Sequence, residues 1–175
     1  MYTKWLIDPL HSFVRFEVQY LLLTKLFGWC TKFDGVFCTD EQFKIHSIDF
    51  NVYTNSLQTG NEMRDRQLKS SKFLNCKQFS VISYSAETLQ AANNRITAIG
   101  WLQIKDAKRK TVLNLDLKGF ATDQYDNTKA GLVAVIRLNT TDFDMSFKNL
   151  CGYDRDLLSE EINIQLELQL LRFDN

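Results

Sequence analysis

The sequence predicts an all-β protein: an antiparallel sandwich or closed barrel of about eight strands, with one short helical insertion near residues 60–75. Three observations predict it. Apolar and polar residues alternate with period two over most of the 175 residues, as they do in strands with one buried face. Residues 58–75 interrupt that alternation with the spacing of a helix. Finally, a single Pro, seven Gly and an even composition leave no linker, repeat or low-complexity stretch, so residues 1–175 are expected to form one domain.

The strands follow in order. Trp5, Leu6 and Ile7 open a short strand that ends at Asp8-Pro9, because proline fixes φ and lacks a donor. Val14, Phe16, Val18 and Tyr20 then share one face, opposite Arg15, Glu17 and Gln19. Residues 26–38 are expected to be one long strand, or a pair broken at Asp34-Gly35. Ile48, Phe50 and Val52 alternate with Asp49, Asn51 and Tyr53. Residues 80–89 and 95–105 are strands joined by a polar turn at Asn93-Asn94. A charged turn over 106–110 leads into 112–120, where Leu113, Leu115 and Leu117 oppose Asn114, Asp116 and Lys118. Residues 123–127 form a loop and 131–139 a strand. Residues 140–155 look polar and irregular, with a turn at Cys151-Gly152. Ile162, Ile164, Leu166, Leu168 and Leu170 make the clearest amphipathic strand. Closing the sheet into a barrel would remove its exposed edges.

Residues 58–75 read differently. Thr59 and Glu62 have the spacing of a capping box. Glu62–Arg66 and Asp65–Lys69 are acid-before-base pairs at i,i+4, which support a helix. Met63, Leu68 and Phe73 are expected to pack over the barrel end, and Arg64 and Asp65 to seat the helix.

Charge excludes some functions. Lys+Arg and Asp+Glu both number 21, so there is no overall basic footprint for nucleic acid and no long-range steering to anionic membranes, although a local patch is compatible with both. The cluster at residues 20–23 is too short to cross a bilayer, so no integral membrane segment is expected. Met1 runs straight into Tyr-Thr-Lys-Trp, which predicts no leader and a cytoplasmic chain as it stands, or a periplasmic one if a leader has been removed. Cys30, Cys38, Cys76 and Cys151 form no C-x-x-C and lack histidines at metal spacing; they are expected as buried free thiols, with no metal or cofactor. Cys30 and Cys38 would share a face if they lay on one strand.

His11, Ser12 and Asp8 superficially suggest a hydrolase triad. Adjacent strand residues point to opposite faces, however, and the G-x-S-x-G elbow is absent. Hydrogen bonding at a strand start is the better account. From the pattern alone, the inward residues are expected to fill the barrel.

The ordered pieces nonetheless resemble the YceI-like family, polyisoprenoid-binding, lipocalin-like barrels of bacteria. Trp5, Ile7-Asp8-Pro9, His11-Ser12, Val14 and Phe16 are similar to its W-x-I-D-x-x-H-S-x-V-x-F opening. Gly28, Phe33 and Gly35 match the next segment. Thr59, Asn61, Arg64-Asp65, Leu68, Ser70 and Phe73 resemble T-x-N-x-x-R-D-x-H-L-x-S-x-x-F. Gly100, Leu102, Ile104-Lys105, then Asn139, Asp142-Phe143 and finally Ser159-Glu160-Glu161-Ile162 continue the match in order. Gln67, Asp106, Lys110, Thr140 and Asp144 depart from the family pattern, all in the helix or turns.

The resemblance implies an extended antiparallel lipocalin-like barrel that is hollow rather than filled. It implies a long-chain lipid or isoprenoid ligand (polyisoprenoid, isoprenoid quinone or fatty-acid derivative), bound without enzymatic chemistry, and in some members a homodimer. The implied ligand-lining residues are Val14, Phe16, Val18, Ile48, Phe50 and Val52, with Leu113, Leu115, Leu117, Leu166 and Leu168 from the later strands. The rival readings are a filled barrel acting as an interaction module and a lipid-processing hydrolase.

Overall fold

The computed structural model describes residues 2–151 and 157–173, apart from the side chains of Thr88, Asn149 and Cys151. Eleven strands form one antiparallel sheet: β1 (Thr3–Ile7), β2 (Phe13–Tyr20), β3 (Thr24–Cys30), β4 (Phe33–Thr39), β5 (Ile45–Tyr53), β6 (Leu57–Gln58), β7 (Val81–Ala92), β8 (Arg95–Ile104), β9 (Ala107–Thr122), β10 (Thr128–Asn139) and β11 (Leu158–Phe173). Two helices, α1 (Glu62–Lys69) and α2 (Phe147–Cys151), interrupt it. Because β1 pairs with both β4 and β11, eight strands close a ring in the order β1-β4-β5-β7-β8-β9-β10-β11.

The break at Asp8-Pro9 organises this closure. β1 and β2 lie end to end along β11: Ile7 pairs with Leu170, and Phe13 pairs with Glu167. The D-P-x-H-S motif fixes the step between them. The Asp8 carboxylate accepts from Leu10 N at 3.1 Å and Lys129 Nζ at 3.0 Å, and lies 2.8 Å from His11 Nδ1. Burial works against that charge, but the hydrogen bonds from His11, Lys129 and Leu10 hold the carboxyl below its ordinary value. Ser12 Oγ accepts from Gln169 N at 2.9 Å, tying the start of β2 to β11.

The alternation sorts the faces as the sequence predicts. Val14, Val18, Ile48, Phe50 and Val52 point inward and are buried, as are Leu113, Leu115, Leu166 and Leu168.

Several boundaries differ. The break within residues 26–38 falls at Thr31-Lys32 instead of Asp34-Gly35, so Cys30 ends β3 and Cys38 lies on β4. Asp34 stays in strand β4, where its carboxylate accepts from Asn51 Nδ2 at 3.0 Å and Tyr53 Oη at 2.6 Å. The charged turn expected over 106–110 is only two residues long. Lys105 adopts φ 56°, and β9 begins at Ala107. Residues 140–151 are not irregular: Thr140–Phe143 form a 3-10 helix, α2 follows, and Phe143, Met145, Phe147 and Leu150 are buried. The expected Cys151-Gly152 turn lies outside the described residues. Cys30, Cys38 and Cys76 are free thiols.

One glycine is required by close approach. A Cβ on Gly100 would sit 2.2 Å from the Ser85 carbonyl oxygen and 2.7 Å from Ala86 Cβ, beside the irregularity in the β7–β8 register. Gly100→Ala is expected to cost about 1–3 kcal/mol through overpacking. The check is a lower urea midpoint at an unchanged m-value.

Candidate functional site

A cavity of about 130 Å³ lies inside one half of the barrel. Its wall comes from inward residues of adjacent strands: Val14 and Phe16 of β2, Phe50 and Val52 of β5, Leu102 and Ile104 of β8, Leu113 of β9, and Ile162, Ile164 and Leu166 of β11. Two segments cap it. Leu68, Phe73 and Leu74 come from α1 and the turn after it, and Met145 and Phe147 from the segment between β10 and β11. The two caps meet where the Phe73 and Phe147 rings stack, with centroids 4.8 Å apart and planes inclined by 29°.

The first cap is seated by the residues expected to seat it. Asp65 Oδ1 accepts from Thr59 N at 2.9 Å and from Thr59 Oγ1 at 2.5 Å. Arg64 Nε donates to Thr59 Oγ1, and its Nη2 to the Thr59 carbonyl, both at 2.8 Å. Thr59 is thus held by both side chains instead of forming a capping box with Glu62. Asn61 is the N-cap, accepting from Arg64 N at 3.0 Å, because Gly60 turns the chain at φ +74° just before it. The i,i+4 side-chain pairs do not form as expected either. Asp65 is turned back to Thr59, and Arg66 Nε donates to the Glu62 carbonyl at 3.4 Å. Met63 is 67% exposed while Leu68 and Phe73 are buried; at about 100° per residue, Met63 lies roughly 140° around the helix from Leu68. Asp65→Ala is expected to cost about 1–2 kcal/mol by freeing the Thr59 donors. It should also speed release of a prenyl probe; a variant unchanged in melting temperature and release rate would reduce α1 to a connector.

The second cap is held by Glu160, at the start of β11. Its carboxylate accepts from Thr140 Oγ1 at 2.5 Å, Ser146 Oγ at 2.7 Å and Phe147 N at 3.1 Å. Burial opposes this charge, but the hydrogen bonds prevail and hold the carboxyl below its ordinary value. Sequence reasoning missed this cap entirely. Its legible traces were Asn139, whose side chain accepts from Thr141 N at 3.0 Å, and the acidic Ser159-Glu160-Glu161 run.

Among the described residues, the cavity lining contains no Lys, Arg, Asp, Glu or His. Its polar side chains are committed or neutral. Tyr84 Oη donates to the Ala98 carbonyl at 3.0 Å, and burial pushes its phenol up to about 12. Burial likewise pushes the Cys30 thiol up to about 12. Such a lining selects by shape and apolar area.

Six of the eleven residues expected to line a ligand do line the cavity: Val14, Phe16, Phe50, Val52, Leu113 and Leu166. The other five lie away from it. Val18, Ile48, Leu115 and Leu168 are buried in the packed core, and Leu117 is half-buried against that core. The barrel is therefore filled along part of its length and hollow along another. Ser12 and His11 are outside the lining and bond different partners, Gln169 and Asp8.

A closed eight-stranded barrel, extended by β2 and β3 and holding a capped, almost entirely apolar cavity, is a lipocalin-like fold. The YceI-like domain profile matches residues 5–170, and the chain belongs to the YceI-like family. Protein YceI of Salmonella newport (strain SL254) is 27% identical over 137 residues, covering 78% of this chain and 72% of that protein. Among solved structures, BcnA of Burkholderia cenocepacia superposes with TM-score 0.81 at 16% identity, covering 93% of this chain and 98% of that one. A polyisoprenoid-binding domain from Saccharophagus degradans, implicated in plant cell wall breakdown, has TM-score 0.75 at 11% identity, covering 97% of each chain.

Proposed function

We propose that this protein binds a long-chain apolar amphiphile — a polyisoprenoid, an isoprenoid quinone or a fatty-acid derivative — and stores or carries it without covalent chemistry. The observation that carries this reading is the cavity itself, whose lining is almost entirely apolar and which two segments, joined by the Phe73–Phe147 ring stack, partly cover. The polyisoprenoid-binding description of a structural relative supports the same class of ligand. The separate engagement of Ser12 and His11 favours binding over hydrolysis.

The volume sets the manner of binding. At about 130 Å³ the cavity is close to the size that admits a benzene molecule, about 150 Å³. A long chain must therefore displace side chains, and the caps are the parts of the wall not built into the barrel ladder. Each methylene then buried contributes about 0.8 kcal/mol. Affinity would rise with chain length until the packed core around Leu115 and Ile48 stops the chain.

Organic extraction of the purified protein, followed by mass spectrometry, is expected to yield an amphiphile at up to one per chain. A delipidated sample should take up a fluorescent prenyl probe. A protein that carries no lipid and takes up neither prenyl nor acyl probes would overturn the proposal in favour of a filled interaction module.

A further inference from the structure

The cap end of the barrel carries an apolar tip that the cavity does not use. The β2–β3 turn is Leu21-Leu22-Leu23, with Leu22 87% and Leu23 81% exposed. Leu23 N donates to the Tyr20 carbonyl at 3.0 Å, and the two central residues have φ 51° and 57°. Tyr20 and Thr24 pair across this three-residue loop, and its first two residues sit at positive φ, as the central residues of a type I′ turn do, where Asn-Gly is favoured. Leucine gains nothing there for the turn, being bulky in a left-handed conformation. Backbone strain at Leu21 and Leu22, with Leu21 43% exposed and Leu22 and Leu23 almost bare, points to a contact outside the chain.

The tip stands beside the second cap. Leu21 N donates to the Leu157 carbonyl at 2.8 Å, and Leu21 and Leu22 share a groove with Lys148 of α2 and with Glu160, whose carboxylate is taken up by Thr140, Ser146 and Phe147. On the other side of that cap lies the β8–β9 turn, where Lys105 Nζ donates to the Asp144 carbonyl at 3.2 Å. Four of residues 105–110 are basic: Lys105, Lys108, Arg109 and Lys110, with Asp106 the single acid. Arg109 and Lys110 also converge with Arg137 of β10 on one surface groove, which Asp142 alone lines with a carboxylate. β2 and β9 are three strand spacings apart along the sheet, through β10 and β11, roughly 15 Å. The formal charge of the whole chain is zero, so this cluster is a local feature.

We infer that the cap end docks on an anionic lipid bilayer, the Leu21–Leu23 tip entering the headgroup boundary while Lys108, Arg109 and Lys110 lie against lipid phosphates. An apolar tip beside a basic cluster matches the two attractions that hold proteins at such surfaces. The basic groove alone would suit any polyanion; the leucines select a membrane over nucleic acid. Docked in this way, both caps face the bilayer, where a lipid-like ligand would enter or leave. The inference goes beyond ligand binding and stands on surface residues outside the cavity.

Co-sedimentation of the full chain with vesicles tests it. Vesicles of equal phosphatidylcholine and phosphatidylglycerol are expected to bind the protein at low salt, with phosphatidylcholine alone binding it far less. The triple change K108Q/R109Q/K110Q should lower partition by about a hundredfold, about fivefold per charge. L21N/L22G should lower it at least about tenfold while leaving the melting temperature equal or higher, because it installs the favoured turn. Uptake of a prenyl probe from vesicle-free solution should be unchanged in both variants, which separates failure at the surface from failure of the cavity. Absence of binding to anionic vesicles, or binding that L21N/L22G leaves unchanged, overturns the inference. Equal affinity for an oligonucleotide, indifferent to the leucine change, would reassign the groove to a general polyanion site and overturn it as well.

Discussion

Phe73→Ala is expected to destabilise the protein by about 3–5 kcal/mol, the usual cost of emptying a buried phenylalanine site, and to accelerate ligand exchange. Phe73 is 5% exposed, lines the cavity and stacks on Phe147. Removing it deletes apolar contacts and unlinks the caps together. In a chain of this size each kcal/mol shifts the melting temperature by roughly 2–4 °C, so a fall on the order of 10 °C is expected. Phe147→Ala should behave alike. The double variant should cost less than the sum of the two, because the stack, worth about 0.5–1.5 kcal/mol, is lost only once. Additive losses would show that the rings are neighbours without being coupled, and that the caps open separately.

Glu160→Ala is expected to cost about 3 kcal/mol, since three donors lose a charged acceptor. Thr140, one of those donors, is only 1% exposed, so water cannot readily replace the carboxylate. The same bonds predict a pH dependence. The folded-state pKa of Glu160 lies below its ordinary value of 4.5. Its stabilisation is therefore complete above that ordinary value and is lost as pH falls through the lowered one. Denaturant midpoints measured from neutral pH downward should show wild type losing stability over this acidic window. Glu160→Gln, which cannot titrate, should lack that part of the loss. Matching profiles for the two proteins would mean that the carboxylate does not hold the second cap as a charge.

Much of the fold was legible because a strand writes its buried face into the sequence with period two. Ile162 to Leu170 in β11 and Ile48 to Val52 in β5 are clear cases, and Asp8-Pro9 marked the step from β1 to β2. Period two reveals which face is buried, but it does not reveal height along the barrel. Leu113 lines the cavity while Leu115, two residues along the same face, is fully packed. That distinction depends on strand tilt and stagger, which arise from pairings distant in sequence. The second cap was illegible for another reason. Phe143, Met145, Phe147 and Leu150 are spaced by two, two and three, across a 3-10 helix and one short α-helix, so no single period spans them. The first cap was recognised as a helix, but its N-cap was misplaced by two residues because Thr59 bonds Asp65 and Arg64 instead.

The closure of the ring has a kinetic consequence. The seam joins the first strand to the last: Lys4 pairs with Phe173, and Ile7 with Leu170. No local event can form it. Hairpins such as β7–β8 and β8–β9 need only short loops to close, but the seam must wait until nearly the whole chain is available, and its loop-closure entropy is the largest in the molecule. Folding dominated by such distant pairings runs on the millisecond-to-second scale. Until the seam zips, the growing sheet presents two unpaired ladders and an uncovered row of leucines, the form most open to pairing with another chain.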